Sequence, residues 1–154
     1  MKIMTTSENG MRFLANLEGI RKSVYDDFNG KYIAFGKKPI GNPTIGIGHL
    51  IIQKELYPYY PQALTTKQVY ELFKKDLLRY EKAINSHVKV MINQNQFDAL
   101  VSFCFNIGIN GFIGSTALRL LNKQDYYGCS NALLMWKNPG LLIRRSKEKK
   151  LFLS

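Results

Sequence analysis

Between residues 23 and 50 the chain changes its pattern, and this change limits the folds open to it. Gly30, Gly36, Pro39, Gly41 and Pro43 cut the stretch into short runs, Lys31–Phe35 and Thr44–Gly48. These runs are too brief for helices and have the β-branched and aromatic content of strands, so a small hairpin sheet built on turns is expected. Helical spacing prevails on either side. Met11, Phe13, Leu14, Leu17 and Ile20 fall largely on one face of a helix over about residues 9–20 that Ser7 can cap.

From Thr65 onward the periodicity stays helical. Thr65 with Gln68, and Asn93 with Gln96, form capping-box signatures. The first opens a helix whose stripe is Val69, Leu72, Phe73, Asp76, Leu77, Tyr80 and Ile84. The second opens an apolar helix that ends at Gly108. Shorter helices are expected from Ser115 to Leu121, from about Asp125 to Trp136 and from about Leu142 to Phe152. Pro58 and Pro61 bracket a tyrosine-rich loop. The fold class is therefore α+β. A single domain of 154 residues is expected. Its sheet lobe spans about 21–64, a bridging helix about 66–84, and a helical lobe about 85–154 together with the N-terminal helix.

Lys and Arg total 22 against 11 acids, a formal charge of +11. Such a field favours a polyanionic partner: nucleic acid, an anionic membrane surface or an acidic wall polymer. There is no aromatic–basic RNA motif and no clear DNA recognition helix, so nucleic acid is not expected. The basic run Lys137 to Lys150 reads either as a solvated helix face or as a contact with anionic wall polymer or phospholipid. No segment approaches the roughly 20 apolar residues of a membrane span, and no signal peptide or anchor is read at the N-terminus. Cys104 and Cys129, the only cysteines, sit in apolar helical stretches and read as buried free thiols. Two Cys and two distant His do not make a zinc site, and no metal or cofactor is expected.

Chemistry concentrates between Glu18 and His49. Glu18 stands at a helix end, Asp27 in a turn nine positions on, and Thr44 opens the Gly-rich run Thr44-Ile45-Gly46-Ile47-Gly48-His49. Two carboxyls beside a loop-rich cleft suit glycosidic bond cleavage, one as acid and one handling water or the cation-like transition state. Taken singly, Glu18 also reads as a solvated helix-end acid, Asp27 as a turn residue capping its own backbone, and Thr44 as a plain strand residue. The ordered series is more specific. Asn93-Gln94-Asn95-Gln96-Phe97-Asp98-Ala99-Leu100-Val101-Ser102-Phe103 is followed by Phe105-Asn106-Ile107-Gly108. Gly114-Ser115-Thr116, Leu118 to Asn122, Trp136, Arg144-Arg145, Glu148 and Leu151 to Ser154 come next. Over nearly its whole length the chain resembles the phage-type (T4/P22-like) lysozymes.

That resemblance implies an endolysin muramidase that hydrolyses the β-1,4 bond between N-acetylmuramic acid and N-acetylglucosamine in peptidoglycan and lyses the host cell. Glu18 matches the general acid, Asp27 the second carboxylate and Thr44 the hydroxyl that helps hold the attacking water, with Asp26 the fallback for Asp27. A water-holding Thr fits inversion, in which the carboxyls stand roughly 6.5–9.5 Å apart. Leu50, Phe105, Asn106 and Ser130 match substrate-contact positions, although Phe105 is almost as readily core. Arg144 or Arg145 is expected either to reach back toward Glu18 or to lie on a solvated basic face. His49 and Asp76 are expected to form an ion pair joining the lobes, because Asp76 is the sole acid on the bridging helix's apolar stripe.

The resemblance further implies a monomer that waits in the host cytoplasm until a holin-dependent release to the wall. Asp27 to Thr44 is longer than in the shortest members of the family, since Lys31–Asn42 adds a basic, Gly/Pro-rich excursion. A hairpin insertion there would leave both ends in place at modest entropic cost. Two rival functions stay open. A lytic transglycosylase would act on the same polymer without an Asp–Thr pair, and a cationic membrane-active protein would need no catalysis.

Overall fold

The computed structural model describes residues 2–52 and 62–154. The tyrosine-rich loop at 57–61 lies outside the described residues. A three-stranded antiparallel sheet and a mostly helical body confirm the α+β class. The chain divides into two compact units, Ala15–Asp76 and the N-terminal residues through Leu14 with Leu77–Ser154.

Helix α1 (Glu8–Glu18) starts at Ser7. The Ser7 carbonyl accepts the Met11 N–H at 2.9 Å and its hydroxyl accepts the Gly10 N–H at 3.0 Å. The helix ends at Glu18, two residues before the expected limit, where Gly19 (φ 80°) turns the chain. Strands β1 (Arg21–Asp26), β2 (Pro43–Gly46) and β3 (His49–Leu50) follow in spatial order β1-β2-β3. Sequence periodicity missed β1 because Arg21, Lys22 and Ser23 are all exposed, which leaves only Val24 and Asp26 buried along it. Conversely, the expected strand at Lys31–Phe35 is reduced to one bridge, Tyr25 to Tyr32. Ile33 alone reaches inward, joining Val24, Ile45 and Ile51 in the core of this unit, with Leu64 and Leu72 packed against it.

Helix α2 (Thr66–His87) opens on the expected capping box: Gln68 N–H to Thr65 Oγ1 at 3.2 Å and Thr65 N–H to Gln68 Oε1 at 2.8 Å. Helix α3 (Gln94–Ile107) opens on the other, Asn93 with Gln96. Every residue of α3 from Phe97 to Cys104 is buried, so this helix is the axis of its unit rather than a surface helix. Around it run α4 (Ile109–Ile113), α5 (Thr116–Leu121), α6 (Tyr126–Leu133) and α7 (Leu142–Leu153). Ser115 caps α5 and Asp125 caps α6, as their positions suggest. Helix α4 was not anticipated, since five residues between two glycines carry no helical period. Cys104 and Cys129 are buried free thiols. No helix among the described residues is long and apolar enough to cross a membrane.

Candidate active site

Glu18, Asp27 and Thr44 all belong to the Ala15–Asp76 unit. In the sheet Tyr25 pairs with Thr44 and Thr44 with Leu50, so these three side chains share one row. Leu50 is half exposed there. The Tyr25 phenol feels the charge of both carboxyls. Burial pushes its pKa above the ordinary value, the charge of Arg21 opposes this, and the charges of Asp27 and Glu18 add to it. Both carboxyls therefore lie within electrostatic reach of one side chain.

Adjacent aspartates at the end of β1 have opposite surroundings. Asp26 is only 4% exposed. Its carboxylate accepts the backbone N–H groups of Ile40 at 2.6 Å, Phe28 at 2.9 Å and Gly41 at 3.0 Å. Burial works to raise its pKa, but the three N–H donors together hold it below the usual carboxylate value. Asp27 is exposed. It accepts the Asn42 N–H on Oδ1 at 2.6 Å and the Asn42 side-chain amide on Oδ2 at 3.0 Å, while its own N–H donates to the Asn42 carbonyl at 3.1 Å. Asp26 is thus committed to the loop, and Asp27 is the carboxylate turned to solvent.

The insertion folds back between these two anchors. Asp26 and Lys31 pair through the Asp26 N–H and Lys31 carbonyl at 2.8 Å, and the Ile33 N–H reaches the Val24 carbonyl at 3.0 Å. Gly41 is required at the far end. A Cβ there would stand 2.2 Å from Asp27 Oδ1 and 2.9 Å from Asp26 Oδ1. Thr44 is buried, and its hydroxyl donates to the Asn42 carbonyl at 3.2 Å. Behind the sheet His49 Nδ1 meets both Asp76 oxygens, at 3.0 and 2.9 Å. The expected pair is formed, but both partners lie in the same unit, so it ties β3 to α2 rather than one lobe to the other.

The remaining candidates sit in the other unit. Neither arginine forms a solvated basic face: Arg144 is 8% and Arg145 0% exposed. Between them lies Glu148, fully buried, with Arg144 Nε at 3.0 Å, Arg145 Nη1 at 2.5 Å and the Ser102 hydroxyl at 2.7 Å. Arg145 also donates to the Trp136 carbonyl at 3.0 Å and to Asn106 Oδ1, and lies over the Phe103 ring. Asn106 stays exposed with its amide oxygen engaged by Arg145, and Phe105 packs a tilted ring on Tyr80 at 5.1 Å. Ser130 does not fit the expected role. It is 0% exposed, with its hydroxyl bonded to the Tyr127 carbonyl one helical turn back. A side chain enclosed in this way has no surface to offer a sugar. Among the described residues no group of three or more His, Cys, Asp or Glu could hold a metal ion.

Asn42 and Tyr25 were not singled out from the sequence. The Asn-Pro dipeptide marks a turn, but nothing local shows that Asn42 turns back on a residue fifteen positions away. Glu148 belonged to the family pattern, yet its burial between two arginines has no local sign either.

Comparison with known proteins places these features in a family. The profile of the phage lysozyme family matches residues 15–148. The endolysin of Salmonella phage P22 is 41% identical over 157 residues, covering 99% of this chain and 100% of that one. The crystal structure of a P22 lysozyme mutant superposes with a TM-score of 0.84 at 40% identity, covering 98% and 99% of the two chains. The muramidase domain of SpmX from Asticaccaulis excentricus gives a TM-score of 0.76 at 32% identity, covering 99% and 98%. The chain belongs to the phage lysozyme family and is a glycoside hydrolase of the lysozyme type.

Proposed function

We propose that this lytic, peptidoglycan-degrading enzyme cleaves the β-1,4 bond between N-acetylmuramic acid and N-acetylglucosamine with inversion at the anomeric carbon. The observation that carries the reading is the contrast between the two aspartates: Asp27 is exposed and held by Asn42, which also accepts the Thr44 hydroxyl, while Asp26 is buried and tied up in the loop. Glu18 donates its proton to the leaving glycosidic oxygen. Asp27 takes a proton from the attacking water, and Thr44 helps to hold that water. Leu50, Phe105 and Asn106 supply substrate contacts. The protein acts as a monomer after a holin-type pore admits it to the wall.

Digestion of purified peptidoglycan tests this. Glu18→Gln and Asp27→Ala each lower kcat by about 100-fold or more. Products carry reducing muramic ends, and the first-formed anomer seen by NMR is the α form. Anhydro ends would make the enzyme a transglycosylase, and the β anomer would make it retaining. Full lysis by Glu18→Gln would leave charge-driven membrane damage as the cause.

A further inference from the structure

We propose that Asn42 is a positioning residue for the reaction: it fixes the plane of the Asp27 carboxylate and, through its carbonyl, the direction of the Thr44 hydroxyl. The inference rests on Asp27 being the base in the reading above.

Rotation of a carboxylate about its last side-chain bond is broad and nearly two-fold, so an exposed Asp has no preferred plane of its own. Asp27 is exposed, yet each of its oxygens receives a separate donor from the same residue, the N–H of Asn42 on one and its side-chain amide on the other. Two donors at fixed separation hold a carboxylate as a fork holds it, in orientation as well as in place. The Asp27 N–H in turn donates to the Asn42 carbonyl, which closes a reciprocal clasp. Each oxygen keeps lone-pair capacity for a water.

That same carbonyl accepts the Thr44 hydroxyl proton. A hydroxyl has one proton, so with it directed at Asn42 the oxygen offers water only lone pairs. Asp27 and Thr44 thereby both face the water as acceptors. A water held by both hydrogens has its own lone pair free to form the new bond to the anomeric carbon. One proton passes to Asp27 as the glycosidic C–O bond breaks and the leaving oxygen takes the Glu18 proton.

The clasp is in turn held from behind. Asp26 receives the N–H groups of Ile40 and Gly41, the two residues before Asn42, and only a glycine at 41 lets the segment close on both aspartates. The insertion is thus folded so that its last residue reaches Asp27.

Steady-state kinetics and melting temperatures of Asn42→Ala, Asn42→Ser and Asn42→Asp test the role. Ala removes one of the two donors, and kcat falls about tenfold, while KM and Tm stay at wild-type values. Ser, with a shorter donor, recovers part of the loss. Asp puts a second negative charge beside Asp27 and falls below Ala. Asn29→Ala, which removes a turn bond to the Lys31 N–H at the other end of the insertion, leaves kcat unchanged. Wild-type kcat in Asn42→Ala would overturn the proposal. So would a kcat loss that tracks Tm or KM, or an Asp variant as active as Ala. Full activity of Asp27→Ala would instead remove the base assignment itself, whatever Asn42 does.

Discussion

Gly10→Ala sets helix propensity against packing, and the structure says which wins. Gly10 lies in the first turn of α1, where replacing Gly by Ala ordinarily gains up to about 1 kcal/mol. Here a Cβ would stand 2.4 Å from Asp98 Cγ and 2.7 Å from each carboxylate oxygen. Carbon atoms rest at about 3.5–4.0 Å, so Asp98 must retreat by about 1 Å. It is poorly able to do so. Asp98 is 2% exposed and accepts the Ser7 N–H at 3.0 Å, the Ser7 hydroxyl, and the Gln94 amide at 2.9 Å. Overpacking costs about 1–3 kcal/mol, and stretching bonds to a buried carboxylate adds about 1 kcal/mol or more. After the propensity gain, a net loss of about 2 kcal/mol remains. For a chain of this size that lowers Tm by roughly 4–8 °C in a calorimetric or circular-dichroism melt. In the Asp98→Ala background the clash is gone, and Gly10→Ala becomes neutral or stabilising. An unchanged or raised Tm for the single variant would refute the reasoning, because Asp98 would then yield freely.

Two further outcomes follow from buried groups. Glu148→Ala strands Arg144 and Arg145 without their carboxylate and lowers unfolding free energy in urea by about 3–5 kcal/mol. Cys104 and Cys129 have thiol pKa values pushed up by burial to about 12, with Asp125 adding to the effect at Cys129. Both resist a thiol reagent at pH 8 in the native protein and react in 6 M guanidinium. Because the unfolded chain releases these protons from about pH 9 while the native state holds them, the native state binds more protons and stability falls as pH rises toward about 12. The Cys104→Ala/Cys129→Ala variant lacks that part of the alkaline slope in pH-dependent urea unfolding.

Helix starts were legible because caps are local: Thr65 needs only Gln68, and Asn93 only Gln96, both three residues away. Strand β1 was hidden because its first half faces solvent, and Lys31–Phe35 looked like a strand because composition does not say whether a partner exists. The same limit applies at the candidate site. Glu18, Asp27 and Thr44 stood out as candidates through the resemblance to the family's pattern, and the His49–Asp76 pair through the lone acid on an apolar stripe. What Asn42 does depends on a turn closing over fifteen residues, and what Arg144 and Arg145 do depends on Ser102, forty-odd residues away, and on Glu148 being buried between them. Ser130 was misjudged for a related reason, since a small polar residue has the same sequence appearance on an open groove as in a sealed helix contact.

The Asp26 and Asn42 anchors also separate two problems that a longer loop usually couples. Everything that delivers Thr44 to its strand lies at or outside the closing bonds of Ile40, Gly41 and Asn42, while Ala34 to Lys38 lie beyond them, exposed to solvent. Evolution can therefore rewrite the tip without touching the bonds that hold Asp27 and Thr44 at its base. The hairpin is a place where this scaffold can change length and charge while the anchored ends stay as they are.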